Sequence, residues 1–445
     1  MNALPYLVNH RDDALTKQAQ IGGSLAGLMH GIMLHRLGHN IRILDQSTAA
    51  LRTDQAAGMT TGPEGKEFFA QHDRYPARYS FACPGVQIFD KVANVARRLN
   101  IPMNISSWNM LYYRLRANFD GLRSEFCPEP ISPALEAGSS PGASYDLGKR
   151  AVDVTYTDGL VTVEYEDLLK GGHGTVHADL VIVADGSNST LRRRLVGDLP
   201  RRYAGYVAWR GTVEERAVSE DTMKLFDKHH FNGFIMKRGY IVGYVMPGTN
   251  GSLKPGERLL NYVWYSNCPA SSPDFNESMT DIDGRTHRNT LPPGKMRPEV
   301  WAKQKAHAAE VLTPPFLELI NKTAEPFIST VNDCAAPRAS FFDGKLLLVG
   351  EALTLLRPHT GMSFNHAAMS CLLLQKVMRG EMDMKQWEEE LLRYREKTML
   401  LAIVVGSYFQ GGVLSAGFLL GVSKFALAML QQTVGQAWWA LRRAL

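Results

Sequence analysis

Three short stretches of this 445-residue chain carry residue types that dinucleotide chemistry needs. The first is Gly22-Gly23-Ser24-Leu25-Ala26-Gly27, a GxGxxG-like loop with serine at the middle glycine, set in IGGSLAGLMHGIMLHRLGHNIRILDQS. Glycines let the backbone approach a pyrophosphate, the next helix offers its N-terminus to that charge, and Gly27 allows close helix–sheet packing. A helix predicted over 28–37 leads to a strand predicted over 41–44, which ends at Asp45. That acid stands near the spacing needed to accept ribose hydroxyls. A plain glycine turn between strand and helix would leave the same trace.

The second stretch is VIVADGSNSTLRRRL, where a buried strand predicted over 178–184 delivers Asp185-Gly186 at its C-terminal end. Ligands of α/β sheets bind at that edge, and Ser189 and Arg192 follow on the next turn and helix start. In the third, LLLVGEALTLLRPHTGMSFNHAAM, a strand predicted over 345–349 delivers Gly350-Glu351. The run Arg357-Pro358-His359-Thr360-Gly361 then enters a helix predicted over 363–378. His359 is the titratable group of most interest, since imidazole exchanges protons near neutral pH. A capping or loop hydrogen bond would suit it equally.

These residues need a sheet to hold them, and its first strand is irregular. Lys17, Gln18 and Gln20 stand where a buried strand should be nearly all apolar. Either the central strand is compromised or the sequence upstream is wrongly joined. Further on, strands over 152–156 and 160–165 meet at Asp158-Gly159, a hairpin signal. Between Tyr203 and Asn267, YAGYVAWRG, GYIVGYVMPG and LLNYVWYSN read as strands of one antiparallel sheet, bounded by glycines. Helical pattern returns over 298–320. The segment 128–143, rich in Pro, Gly and Ser, reads as a loop.

Length suggests two domains, and 45% hydrophobic with 21% charged residues indicates a packed globular chain. A net charge of +5 without a clustered basic stripe gives no case for nucleic acid; Arg193 and Arg194 read as a solvated helix face. Five scattered cysteines show no metal spacing and suggest a reducing, cytoplasmic setting. The N-terminus lacks the apolar core of a secretory signal. From Met399 to Val422 no residue is charged, a length that could span a bilayer. A buried helix pair broken at Gln410-Gly411-Gly412 explains the same composition, and Trp438, Trp439, Arg442 and Arg443 would suit an interfacial helix.

Taken together, the three motifs in this order resemble the p-hydroxybenzoate-hydroxylase-like FAD-dependent monooxygenases over 21–395. YAGYVAWRG, LNYVWYSN and GEALTLLRPHTG look most similar to the 2,6-dihydroxypyridine 3-monooxygenase branch and its fungal relatives. The resemblance implies an α/β fold: a Rossmann-like FAD-binding domain (15–60, 85–200 and 335–398) interleaved with a β-sheet substrate domain (61–84 and 201–334). A hydrophobic helical tail over 399–445, a possible membrane anchor, would follow.

The same resemblance implies that Gly22, Gly23, Ser24 and Gly27 line the FAD diphosphate and Asp45 holds the ribose. Asp185 would belong to a motif serving both FAD and the nicotinamide cofactor. Gly350 and Glu351 would stand where the family binds ribityl and diphosphate oxygens, with Pro358 and Gly361 beside the isoalloxazine. QAAGMTTGP, carrying Gly58, looks like the flavin-adjacent loop. Departures are Glu351 for the usual aspartate, Leu353 for a frequent histidine, Ser363 for a glycine, and Trp108 for an FAD-contacting arginine that Arg114 or Arg116 would replace.

By resemblance, NADPH or NADH reduces FAD, O2 adds at flavin C4a, and the hydroperoxide passes one oxygen to an electron-rich aromatic or heteroaromatic substrate, as in secondary metabolism. Tyr206, Trp209, Arg210, Tyr240, Tyr244, Trp264 and Tyr265 would roof the pocket, with His359, Tyr206 and Arg210 as catalytic candidates. Each aromatic is at least as readable as a core or inter-sheet packing residue, since aromatics are common strand fillers. Two alternatives stand beside this reading: a non-catalytic binding protein on the same fold, and a membrane-anchored, epoxidase-like monooxygenase.

Overall fold

Runs of uninterrupted apolar residues place two strands, LVIV and LLL, side by side within a parallel sheet. The computed structural model describes residues 17–52, 57–130, 142–226 and 228–444. The chain begins β1 (Lys17–Ile21), α1 (Leu25–Arg36), β2 (Asn40–Leu44), β3 (Gly58–Thr61), α2 (Pro63–His72), β4 (Phe81–Phe89), β5 (Val95–Ser107) and α3 (Trp108–Phe119). It continues through β6 (Ala143–Asp146), β7 (Lys149–Thr157), β8 (Leu160–Asp167), β9 (His173–Ala178), β10 (Leu180–Val183) and α4 (Thr190–Val196). Then come β11 (Arg202–Glu214), α5 (Glu220–Phe226), β12 (Phe231–Met236), β13 (Gly239–Met246), β14 (Leu259–Asn267), α6 (Pro273–Met279) and β15 (Thr290–Leu291). The last part holds α7 (Pro298–Val311), α8 (Pro314–Lys322), β16 (Phe327–Ala335), β17 (Ser340–Phe341), β18 (Leu346–Leu348), α9 (Gly350–Leu353), β19 (Thr354–Leu355), α10 (Ser363–Met378), α11 (Met384–Gly411) and α12 (Ala416–Ala444).

The first sheet has the order β17-β18-β10-β1-β2-β6, parallel except for β17 at its edge. All of β10 and β18 is buried, as expected of strands covered on both faces. β1 forms despite its composition and pairs with β2 and β10. Gln18 and Gln20 are buried there, and among the described residues neither side-chain amide finds a partner. The backbone ladder therefore survives at a local cost, since each unpaired buried amide destabilises by about 1–3 kcal/mol. The central strand is not broken.

The second sheet runs β15-β16-β11-β14-β13-β12-β4-β5-β3. Its alternation sends one set of side chains, including Trp209, Trp264 and Ile241, into a core under the helices. The other set, including Tyr206, Tyr240 and Tyr265, faces the third motif. One boundary expected from sequence moves: residues 85–107 pair in this large sheet as β4 and β5 and not with the parallel one. The Asp158-Gly159 turn joins β7 and β8, and both its residues have positive φ as a primed turn requires.

The tail is a helical hairpin. α11 ends at Gly411, Gly412 with φ 74° caps it, and α12 runs back after a short turn. Among the described residues no helix is long and apolar enough to cross a membrane. Ser407, Gln410 and the glycines dilute the run, and a helix pair broken at Gly411-Gly412 forms, although the apolar side chains of its second helix stay largely exposed and not buried. Residues 1–16, 53–56 and 131–141 lie outside the described set, which leaves the N-terminal segment, Gln55, Ala56 and most of the 128–143 loop without a structural account.

Candidate active site

β18, β10 and β1 are neighbours, so their C-terminal ends bring Gly350, Asp185 and Gly22 to one edge. Backbone bonds fasten them: Ala184 donates to Ile21 at 2.7 Å and Val349 to Val183 at 3.0 Å. Gly22 has φ +95°, and a side chain there would collide with the carbonyl of Ala184. A Cβ on Gly27 would strike the Gly22 carbonyl, and one on Gly350 would come within 2.7 Å of Ala26. Glycine is required at the first two because backbones meet there, and at Gly350 because φ is +57° and the Ala26 methyl stands in the way. Ser24 is the N-cap of α1 but makes no side-chain cap bond. The opening amides of that helix thus remain available to an anion.

Asp45 lies where the first motif put it, buried at the end of β2. Its carboxylate accepts the N–H of Gly23 at 2.7 Å and of Ser47 at 2.8 Å, and pairs with Arg52. A carboxylate has room for about four acceptor contacts, so one position stays open for a ribose hydroxyl. Tyr145 of β6 donates to the Gly23 carbonyl at 2.7 Å and fills the space a side chain at 23 would take. Arg116 lies 3.6 Å from the centroid of that tyrosine ring and pairs with Asp120 at 2.7 Å. Arg116 is therefore beside the glycine loop, whereas Arg114 turns away to Asp73 and the Tyr75 carbonyl. Trp108 stacks on Tyr112, 4.8 Å between ring centres.

Asp185 caps α4 through Oδ2, which accepts the Thr190 N–H at 3.0 Å, and its Oδ1 is buried without a partner. Burial raises its pKa above the ordinary carboxylate value. Arg192 holds the second and third motifs together. Its guanidinium donates to the carbonyls of Ser187, Glu351 and Ala352 at 2.8–3.2 Å. The Glu351 side chain is open to solvent, yet the surrounding protein raises its carboxyl pKa, against the pull of Arg201. Gly361, φ +64°, accepts at its carbonyl from Thr60 Oγ1 at 2.6 Å. Asn365 Oδ1 takes the N–H groups of Gly62 and Gly65 and ties α2 to the start of α10. Gly58 lies against the ring of Tyr244.

Pro358–Thr360 form a 3₁₀ turn that presents His359 to the second sheet. Its Nε2 is 2.6 Å from the Tyr206 hydroxyl and its Nδ1 is 2.6 Å from the Tyr240 hydroxyl. The Tyr265 ring centre is 4.7 Å from that of His359. Burial, assisted by the nearby Arg357 cation, lowers the His359 pKa to about 3. Burial lifts both tyrosines above their ordinary range. The imidazole is therefore neutral, with one nitrogen accepting and the other donating. Arg210 shares this face, within hydrogen-bonding reach of Tyr265, and its Nε has no partner. Trp209 and Trp264 do not belong: strand alternation turns them to the opposite face, against Trp301 and His307.

The geometry has relatives. The 2,6-dihydroxypyridine 3-monooxygenase of Paenarthrobacter nicotinovorans is 27% identical over 91% of this chain and 96% of its own length. A family profile described as FAD binding domain-like matches residues 203–333. Over most of its length this chain resembles the FAD-dependent monooxygenases. Its fold matches the solved 2,6-dihydroxypyridine-3-hydroxylase of Arthrobacter nicotinovorans with TM-score 0.73 at 22% identity, covering 92% of this chain and 97% of that one. It also matches Klebsiella pneumoniae HpxO, solved with FAD and uric acid, with TM-score 0.62 at 18% identity and 93% of both chains covered.

The residues present fit FAD. The side-chain-free cradle at Gly22, Gly27 and Gly350, the unpartnered Asp185 oxygen and the open Glu351 carboxylate line one continuous edge. Sequence reading missed Tyr145, Thr60 and Asn365 as site residues and left Arg192 unassigned. Nothing local announces Tyr145 or Thr60, since each acts across a sheet pairing distant in sequence. Arg192 carried a signal: it follows a strand-end Asp-Gly, where a buried cation can bind loop carbonyls.

Proposed function

We propose that the protein is an NAD(P)H-dependent monooxygenase that places one atom of O2 on an electron-rich, hydroxylated aromatic or heteroaromatic ring. The observation that carries this reading is the neutral His359, on the turn of the third motif, held between two tyrosine hydroxyls. Bound FAD would supply the oxygen-activating and electron-carrying chemistry. Gly22, Gly23, Ser24 and Gly27 would hold its diphosphate, Asp45 its ribose, and Asp185, Gly350 and Glu351 the linker. Gly58, Pro358 and Gly361 would border the ring system, with Arg116 bracing the loop through Tyr145.

The chain's own contribution is proton handling in a dry pocket. A ring hydroxyl becomes a better nucleophile as it loses its proton. Tyr206 or Tyr240 would take that proton while passing its own to the accepting nitrogen of His359, and the opposite nitrogen would pass one to the other tyrosine as that hydroxyl releases its own proton to solvent. Arg210 would stabilise the negative charge left on the substrate oxygen. Purified protein should be yellow, and 2,6-dihydroxypyridine, the substrate named for the relative above, should stimulate NADPH or NADH consumption. A colourless protein that FAD does not change would instead support the non-catalytic alternative.

A second reading concerns the tail. Val413, Leu414, Leu419, Leu420, Leu427 and Leu430 of the α11–α12 hairpin are exposed, and residues 399–445 include no acid but have Lys424, Arg442 and Arg443. Those features favour a contact lying on an anionic membrane surface, not an anchor through it. Co-sedimentation with phosphatidylserine vesicles, reversed by salt, tests this; protein left wholly in the supernatant would remove it.

A further inference from the structure

The buried face of α11 is the stripe Trp387, Leu391, Thr398, Ala402, Gly406 and Gln410. Its last turns press on the histidine–tyrosine pocket. A Cβ on Gly406 would come within 2.5 Å of His359 Nε2 and 2.8 Å of the Tyr206 hydroxyl, so glycine is what lets the helix close the pocket. Phe409 stacks on Tyr240 at 4.3 Å between ring centres. The Asn267 side chain donates to the Gln410 carbonyl at 3.4 Å, and Asn267 is the residue paired with Tyr206 across the sheet. The end of α11 is thereby docked beside the residues that handle the proton.

Gln410 lies one turn beyond Gly406 on the same stripe, about 6 Å along the helix axis. It is 8% exposed, and among the described residues neither its amide nitrogen nor its amide oxygen has a partner. A carboxamide buried in this way costs about 1–3 kcal/mol in the free protein, a cost that a bound group can relieve.

We infer that Gln410 is a specificity-determining residue that recognises a lactam edge of the substrate. A carboxamide offers one acceptor and one donor side by side, which complements an adjacent ring N–H and C=O. Hydroxypyridines in their pyridone form present that edge, whereas a phenol of the same shape has a C–H in place of the N–H. A site built for such a pair rejects the analogue that leaves its polar groups unmatched. The inference rests on the monooxygenase reading and narrows its substrate class to lactam-bearing heteroaromatics.

The test uses the full chain loaded with FAD, in wild type, Gln410→Leu and Gln410→Met. Calorimetry measures binding of 2,6-dihydroxypyridine and of resorcinol, its counterpart without the ring nitrogen. Wild type should prefer the pyridine. Both variants should bind it about ten-fold more weakly, the loss of about 1.4 kcal/mol that two modest hydrogen bonds represent, with resorcinol binding unchanged. Their melting temperatures without ligand should equal or exceed that of wild type, because an unpaired amide has been removed. Parallel losses for both ligands, unchanged pyridine binding, a lowered melting temperature, or FAD-loaded wild type that binds neither ligand would each overturn the assignment. A chain that takes up no FAD would overturn the reading beneath it.

Discussion

His359 shows how one side chain can be readable in sequence and still owe its role to others far away. Its place in RPHTG marked it as a candidate, but Tyr206 and Tyr240 reach its two nitrogens from strands more than a hundred residues upstream. Sequence alone could not separate those tyrosines from Trp209 or Trp264, because strand parity relative to a distant loop decides which aromatics face it. Replacing His359 with Asn should keep FAD binding, read as visible absorbance, and lower kcat on the order of 100-fold, the usual scale of a lost proton acceptor. A variant with unchanged kcat would make the histidine a packing residue. Protonation gives an independent check. His359 at about 3, and His30 and His366 at about 4 through burial, all lie below the free value of 6.5. Between these values the unfolded chain binds protons that the folded chain refuses. Their contribution to stability is therefore complete above pH 6.5 and lost progressively as pH falls towards 4 and then 3. Urea midpoints should be flat from pH 8 to 7 and fall on acidification, with a shallower slope in the His359→Asn variant.

Among the elements, β1 is where composition and fold disagree most. Five residues with two glutamines make a poor buried strand, yet β2 and β10 each offer it a full parallel ladder and the glycine loop fixes its end. Motif spacing found this strand where hydrophobicity could not. The opposite holds for β10, β18 and α10, whose apolar runs and period located them to within two residues at each end. Residues 85–107, expected within the FAD-binding domain, pair in the large sheet because the partners of β4 and β5, β12 and β3, are set by topology and not by local pattern. The disagreement at β1 predicts a gain. Gln18 and Gln20 each bury an amide with no partner, and valine suits a two-faced buried strand. Gln18→Val and Gln20→Val should each raise unfolding free energy by roughly 1–3 kcal/mol, seen as a higher urea midpoint with unchanged slope. A lowered midpoint would show that these amides are satisfied by ordered water and serve the fold.

At the level of the whole molecule, the cleft exists only when residues near 22, 185 and 350 come together, and Arg192 is the side chain that clamps the last two. The order of the motifs made this convergence legible in advance, since each ends a strand of the kind that lies inside a parallel sheet. Its tightness was not legible, because it depends on backbones approaching until no Cβ fits. A ligand spanning all three segments binds the folded chain and not the unfolded one, so it must stabilise the fold by mass action. With free FAD at 100 times its Kd the gain is about 2.7 kcal/mol, and the melting temperature should rise by a few degrees. Gly22→Ala should abolish that rise, since its Cβ would meet the Ala184 carbonyl and the backbone already has φ +95°. ADP alone, which reaches Asp45 and the glycine loop but not the third motif, should give a smaller rise than FAD. Equal shifts from ADP and FAD would mean that only the adenosine half of the cleft works. That outcome would favour the non-catalytic reading, because the proton-handling pocket is joined to the other half.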